Sequence, residues 1–93
     1  MPLDINARMR IWHQVDRGKI QAFTVQLEVL GKNQWTPVVR YDTAHGFAHR
    51  DLYTRQGKQF KTPLGMDFNQ ARTFAQRDIL MHWQEYRQIF LGE

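Results

Sequence analysis

Arg40-Tyr41-Asp42-Thr43-Ala44-His45-Gly46-Phe47-Ala48-His49-Arg50-Asp51 sets two arginines, two aspartates, two histidines and a tyrosine in twelve consecutive positions. Gly46 lies where the chain can turn, and both flanks, Trp35 to Thr43 and Phe47 to Thr54, are strand-like. The four-residue spacing of His45 and His49 would suit a ligand pair on a helix, but Gly46 and the flanking pattern oppose a helix there. A turn between antiparallel strands brings Asp42, His45, His49 and Asp51 within one side chain's reach of each other. That choice makes the middle of the chain a sheet.

The segments on either side agree. Arg8 to Val15 alternates, with Met9, Ile11, His13 and Val15 on the apolar side. Asp16-Arg17-Gly18-Lys19 is a turn signal, and Ile20 to Leu30 alternates again, with Phe23, Val25, Leu27 and Val29 inward. Gly31-Lys32-Asn33-Gln34 turns into the strand beginning at Trp35. After Arg55-Gln56-Gly57-Lys58, Gln59 to Thr62 is a short further strand. Met1 to Asn6 reads as a lead-in.

From Phe68 the period changes. Phe68, Ala71, Ala75, Ile79, His82, Trp83, Tyr86 and Phe90 form one stripe at 3.6 residues per turn, and Asp67 is placed to cap its first turn. Such a helix is roughly 36 Å long, whereas four strands span only about 15–20 Å crosswise. It must lie nearly along the strands or overhang them. The expected architecture over residues 1–93 is a single α+β domain: an antiparallel four- to five-stranded β-meander with one long C-terminal helix packed on one face.

Composition narrows the function classes. The chain has 93 residues and no cysteine, which excludes disulfides, thiolate metal sites and thiol redox chemistry. Met1-Pro2-Leu3-Asp4 does not open a signal peptide, and no apolar run reaches membrane-span length; a soluble, cytoplasmic protein with no membrane partner is the expectation. The net charge of +4 favours an anionic partner such as RNA, DNA or an acidic protein, although many inert small proteins are this basic. Between Arg40 and Lys61 five basic residues (Arg40, Arg50, Arg55, Lys58 and Lys61) stand against Asp42 and Asp51.

The central stretch supports three readings. As RNA chemistry, His45 and His49 serve as acid and base, Asp42 or Asp51 orients an imidazole, and Tyr41 joins the group. Arg40 or Arg50 then holds the phosphate, with Arg55 and Lys58 extending the binding surface. As a metal centre, His45, His49 and Asp51 are conceivable ligands, but no fourth is evident, so no metal or cofactor is assigned. As plain structure, Asp42 and Asp51 pair with Arg40 and Arg50 across the hairpin. His13 and His82 read as core or boundary residues, and Trp12 and Trp35 as core fillers in preference to base-stacking platforms. Phe74 and Met81, seven apart and off the main stripe, suggest an interface, a homodimer being the simplest.

The stretch from Arg40 to Asp51 also resembles the signature of a small bacterial family of uncharacterised proteins. These carry an Arg-Tyr-Asp…His-Gly…His core and a C-terminal helix ending in Trp-x-x-Tyr, here Trp83 and Tyr86. More distantly, Tyr41-Asp42, His45-Gly46 and His49 resemble the Tyr-Asp-Asn…Gly-His-His pattern of TumE-type toxins of bacterial toxin–antitoxin pairs. Thr43 replaces the asparagine, and the histidine pair is reduced to His49-Arg50. The resemblance implies a ribonuclease-like toxin component acting on RNA by metal-independent acid–base chemistry and neutralised by an antitoxin protein. The alternative is a non-enzymatic basic binding module that assembles with a protein or nucleic-acid partner.

Overall fold

The computed structural model describes residues 1–92. In chain order the elements are β1 (Pro2–Asp4), β2 (Ala7–Asp16), β3 (Lys19–Gly31), β4 (Gln34–Asp42), a 3-10 turn (Ala44–Gly46), β5 (His49–Tyr53), β6 (Gln59–Pro63) and α1 (Phe68–Gly92). The strands form one six-stranded antiparallel sheet in sequence order. α1 packs on β3 and β4, giving the expected α+β architecture. The sheet has one strand more than the largest expected count. The supposed lead-in is β1, tied to β2 by a backbone pair: Met1 N donates to Met9 O at 2.8 Å and Met9 N to Met1 O at 2.9 Å.

The two long hairpins close on turns whose central residues are both left-handed, Arg17 and Gly18 (φ 52° and 76°), then Lys32 and Asn33 (φ 52° and 64°). That backbone matches the right-handed twist of the flanking strands. Irregularities at Pro2/Asp4, Gln14/Val15 and Leu27/Glu28 add local twist.

The core lies between α1 and one sheet face. Met9, Phe23, Val25, Leu27, Val39 and Tyr41 meet Ala71, Ala75, Ile79 and Phe90, and Phe68 sets its ring edge-on to Phe23 at 6.4 Å. The alanines let the helix backbone come close to the sheet. Its first turn is capped as expected, Gln70 N donating to Asp67 Oδ1 at 2.8 Å. A 25-residue helix is roughly 37 Å long, and β3, with 13 residues, is roughly 43 Å. In a body of 41 × 25 × 21 Å both must follow the long axis. The helix thus runs along the sheet instead of overhanging it.

The inward pattern of β2 holds only at its start. Ala7 and Met9 are buried, while Ile11, His13 and Val15, expected on the apolar side, are exposed although their partners Val25 and Phe23 are core residues, because α1 packs on β3 and β4 and leaves this part of β2 uncovered. Among the described residues no helix is long and apolar enough to cross a membrane.

Candidate functional site

Strand register sorts the charged residues. Arg10, Gln26, Arg40, Asp51 and Lys61 stand opposite one another across β2 to β6, and Trp12, Thr24, Asp42, His49 and Pro63 form the neighbouring row. Both rows lie on the face opposite α1, because the alternating row Ile11, Val25, Tyr41, Arg50 and Thr62 belongs to the helix side. The twelve-residue stretch is therefore split between the two faces.

On the open face, three groups converge on one imidazole nitrogen. His49 Nε2 lies 2.7 Å from Asp42 Oδ1 and 3.4 Å from Asp51 Oδ2. Lys61 Nζ is 3.1 Å from the same nitrogen and 3.6 Å from Asp51 Oδ1. The other ring nitrogen, Nδ1, donates to the Phe47 carbonyl at 3.2 Å; a carbonyl only accepts, so the contact fixes which nitrogen faces the carboxylates. His49 and Asp51 are buried, and the Phe47 ring lies against His49, their centroids 5.2 Å apart. The expected cross-strand pairing of Asp42 and Asp51 with Arg40 and Arg50 is replaced by this quartet.

The turn explains the placement of Phe47 and His45. His45 and Gly46 are both left-handed (φ 72° and 85°), and Ala44 N donates to Asp42 Oδ1 at 3.1 Å. The loop thus runs to Ala48, and β5 begins at His49 instead of at Phe47. His45 stays exposed, its ring centroid 6.4 Å from that of His49.

Tyr41 leaves the cluster. It points into the core, where its hydroxyl donates to Asp78 Oδ2 at 2.6 Å, and Tyr86 donates to the same oxygen. Burial, and then the Asp78 carboxylate, push the Tyr41 pKa far above its usual range. Arg50 reaches Tyr86 on this side at 3.5 Å. Arg55 donates to the Leu91 carbonyl at the end of α1 at 3.0 Å, and Lys58 sits in the exposed β5–β6 turn. Of the expected phosphate-binding residues only Arg40 shares the face of Asp42 and His49. Phe74, expected at an interface, sets its ring edge-on against Tyr41 at 6.1 Å, whereas Met81 is 74% exposed. His82, read as a core or boundary histidine, is partly exposed beside Glu85.

Beside the quartet, a second polar chain stiffens the same face. Arg8 Nε donates to Glu28 Oε1 (2.6 Å), Gln26 Nε2 to Glu28 Oε2 (2.5 Å), and Arg40 Nε to Gln26 Oε1 (2.6 Å). Glu28 and Gln26 are buried beneath the long side chains laid over them, and Arg8 covers the Trp35 ring at 4.1 Å. A depression of about 210 Å³ opens next to this chain, lined by Arg10, Ile11, Trp12, Thr24, Gln26 and Arg40. Trp12, read from sequence as a core filler, is 56% exposed there.

Three residues of these polar clusters are not marked by the sequence as site residues. Asp78 lies at the edge of the apolar stripe of α1, about 20° past Ala71 around the axis, where a carboxylate reads equally well as solvent-facing. Lys61 entered only as a unit of charge, and Gln26 only as an outward residue; their roles depend on register. No curated protein and no solved structure matches the chain. Along its whole length, residues 1–93, it matches the model of a family described as a domain of unknown function, DUF7718, and it belongs to that family.

Proposed function

We propose that the protein is a non-enzymatic module that binds single-stranded RNA on the sheet face opposite α1. The observation that carries this reading is the exposed Trp12 ring beside Arg10 and an Arg40 already oriented by Gln26. An aromatic face stacks any base, and guanidinium groups beside it hold the adjoining phosphates. An Arg40 side chain fixed before binding loses less freedom on meeting a phosphate. The net charge of +4 adds long-range attraction.

Cleavage by the His45/His49 pair, the ribonuclease reading with its antitoxin partner, requires His49 to meet a 2′-hydroxyl. Its ring is buried and its Nε2 is already surrounded by Asp42, Asp51 and Lys61. Binding without cleavage is the better fit.

Fluorescence anisotropy of a labelled oligouridylate tests this. Trp12→Ala should weaken binding roughly tenfold, the loss of one stacked base. Arg10→Ala and Arg40→Ala should each flatten the log–log salt dependence by about 0.7. Affinity and salt slope unchanged in all three variants would remove the RNA face from the sheet. Cleavage of the bound oligomer that His49→Ala abolishes would restore the ribonuclease reading.

A further inference from the structure

We propose that Asp42, His49 and Asp51 form a site for a first-row divalent cation such as Zn²⁺, with the Lys61 ammonium standing in the cation's place. The donor atoms come from β4 and β5, which are paired with Asp42 opposite His49, and all lie within 4.8 Å of one another. The two separations measured from His49 Nε2, 2.7 and 3.4 Å, bracket the spacing of ligands on one metal. Bonds of about 2.0–2.1 Å in a tetrahedron put donors roughly 3.3 Å apart.

Two further observations point to a cation. Asp51 is only 3% exposed, yet its Oδ1 has no hydrogen-bond partner among the described residues, Lys61 Nζ standing off at 3.6 Å. A buried carboxylate oxygen left in this way costs free energy that a bound cation would recover. The second is the Phe47 carbonyl on His49 Nδ1. Holding the far ring nitrogen to a carbonyl is how proteins aim a ligating histidine, because it fixes the tautomer and directs the Nε2 lone pair at the metal.

Lys61 makes the site exchangeable. Its side chain is 37% exposed and lies on the edge strand β6, so it is able to swing to solvent as a dication takes its position. One imidazole and two carboxylates suit Zn²⁺ or Mn²⁺, and leave the fourth position of a tetrahedron to water. The cation would fasten β4 to β5 beside Phe47. Its role is independent of the RNA-binding reading.

The test is calorimetric titration of the whole protein with zinc chloride, together with thermal melts. One equivalent should bind saturably, and a hundredfold excess over Kd should raise Tm by roughly 10–20 °C. Asp51→Asn, which keeps the shape, should weaken binding at least tenfold. Lys61→Met removes the competitor: it should bind zinc more tightly than the wild type and recover with zinc any Tm it loses without it. The proposal is overturned if the wild type neither binds zinc saturably nor shifts its melt. Equal affinity in Asp51→Asn would also overturn it, by assigning the metal to exposed histidines. A Lys61→Met variant that zinc neither binds more tightly nor restores would show that Lys61 simply completes the side-chain cluster.

Discussion

Tyr41 and Asp42 are neighbours in sequence, and the pleat sends them to opposite worlds. Asp42 joins His49 on the open face, while Tyr41 is enclosed with Asp78. Burial and then Asp78 raise the Tyr41 pKa well above its unfolded value near 10, and burial raises those of Tyr53 and Tyr86. A raised folded pKa means that the native state keeps its proton where the unfolded chain has lost it. The stability tied to these hydroxyls is therefore complete below about pH 10 and declines as pH climbs beyond it. Absorbance at 295 nm should show Tyr41 ionising only together with unfolding. Three tyrosines titrating near pH 10 in a folded protein would contradict the buried pair. The split itself was legible: a two-residue period places Tyr41 and Arg50 on the face away from Asp42, His49 and Asp51. Grouping all of them by nearness in sequence overrode it.

The loop between β4 and β5 shows where such legibility stops. That it turns at Gly46 follows from composition alone. That two consecutive residues are left-handed, so that Phe47 lies against His49 instead of being the first strand residue, depends on contacts made only in the fold. Gly57 marks the next turn just as visibly, but only the register of β5 with β6 sets Lys61 opposite Asp51. A one-residue slip would have sent Lys61 to the other face. The β2–β3 and β3–β4 turns were readable because their strands carry long alternating patterns. The glycines offer a direct comparison. A Cβ at Gly46 meets nothing within 4 Å, so Gly46→Ala is charged for its φ of 85° alone, about 1 kcal/mol. That corresponds to a Tm lower by roughly 4–8 °C. Gly31 has equal space and no positive φ, so Gly31→Ala should leave Tm unchanged or slightly raised. Equal losses at the two sites in a thermal melt would show that the Gly46 backbone is not what holds the loop.

The whole molecule has one covered sheet face, one open one, and a helix whose remaining apolar residues do not gather. A homodimer through Phe74 and Met81 followed from a helix too long for its sheet, but β3 is as long as α1, so that premise is gone. Phe74 sets one edge against the ring of Tyr41 and stays 41% exposed. Met81 shares that flank, while Leu80 and Leu91 lie about 80–100° to one side of it around the helix axis and Ile89 about 80° to the other. A stable interface buries about 800 Å² per partner, roughly an eighth of the 6168 Å² surface of this chain. Residues spread over three separated flanks do not supply it. We therefore expect sedimentation equilibrium to give a single species of 11.2 kDa across the concentration range. Met81→Lys should leave mass and Tm unchanged, whereas Phe74→Asp should lower Tm by unpacking Tyr41 and leave mass unchanged. A mass that rises with concentration and falls back on Met81→Lys would reinstate the helix as a dimer interface, and would place that interface on the side of the molecule opposite the open sheet face.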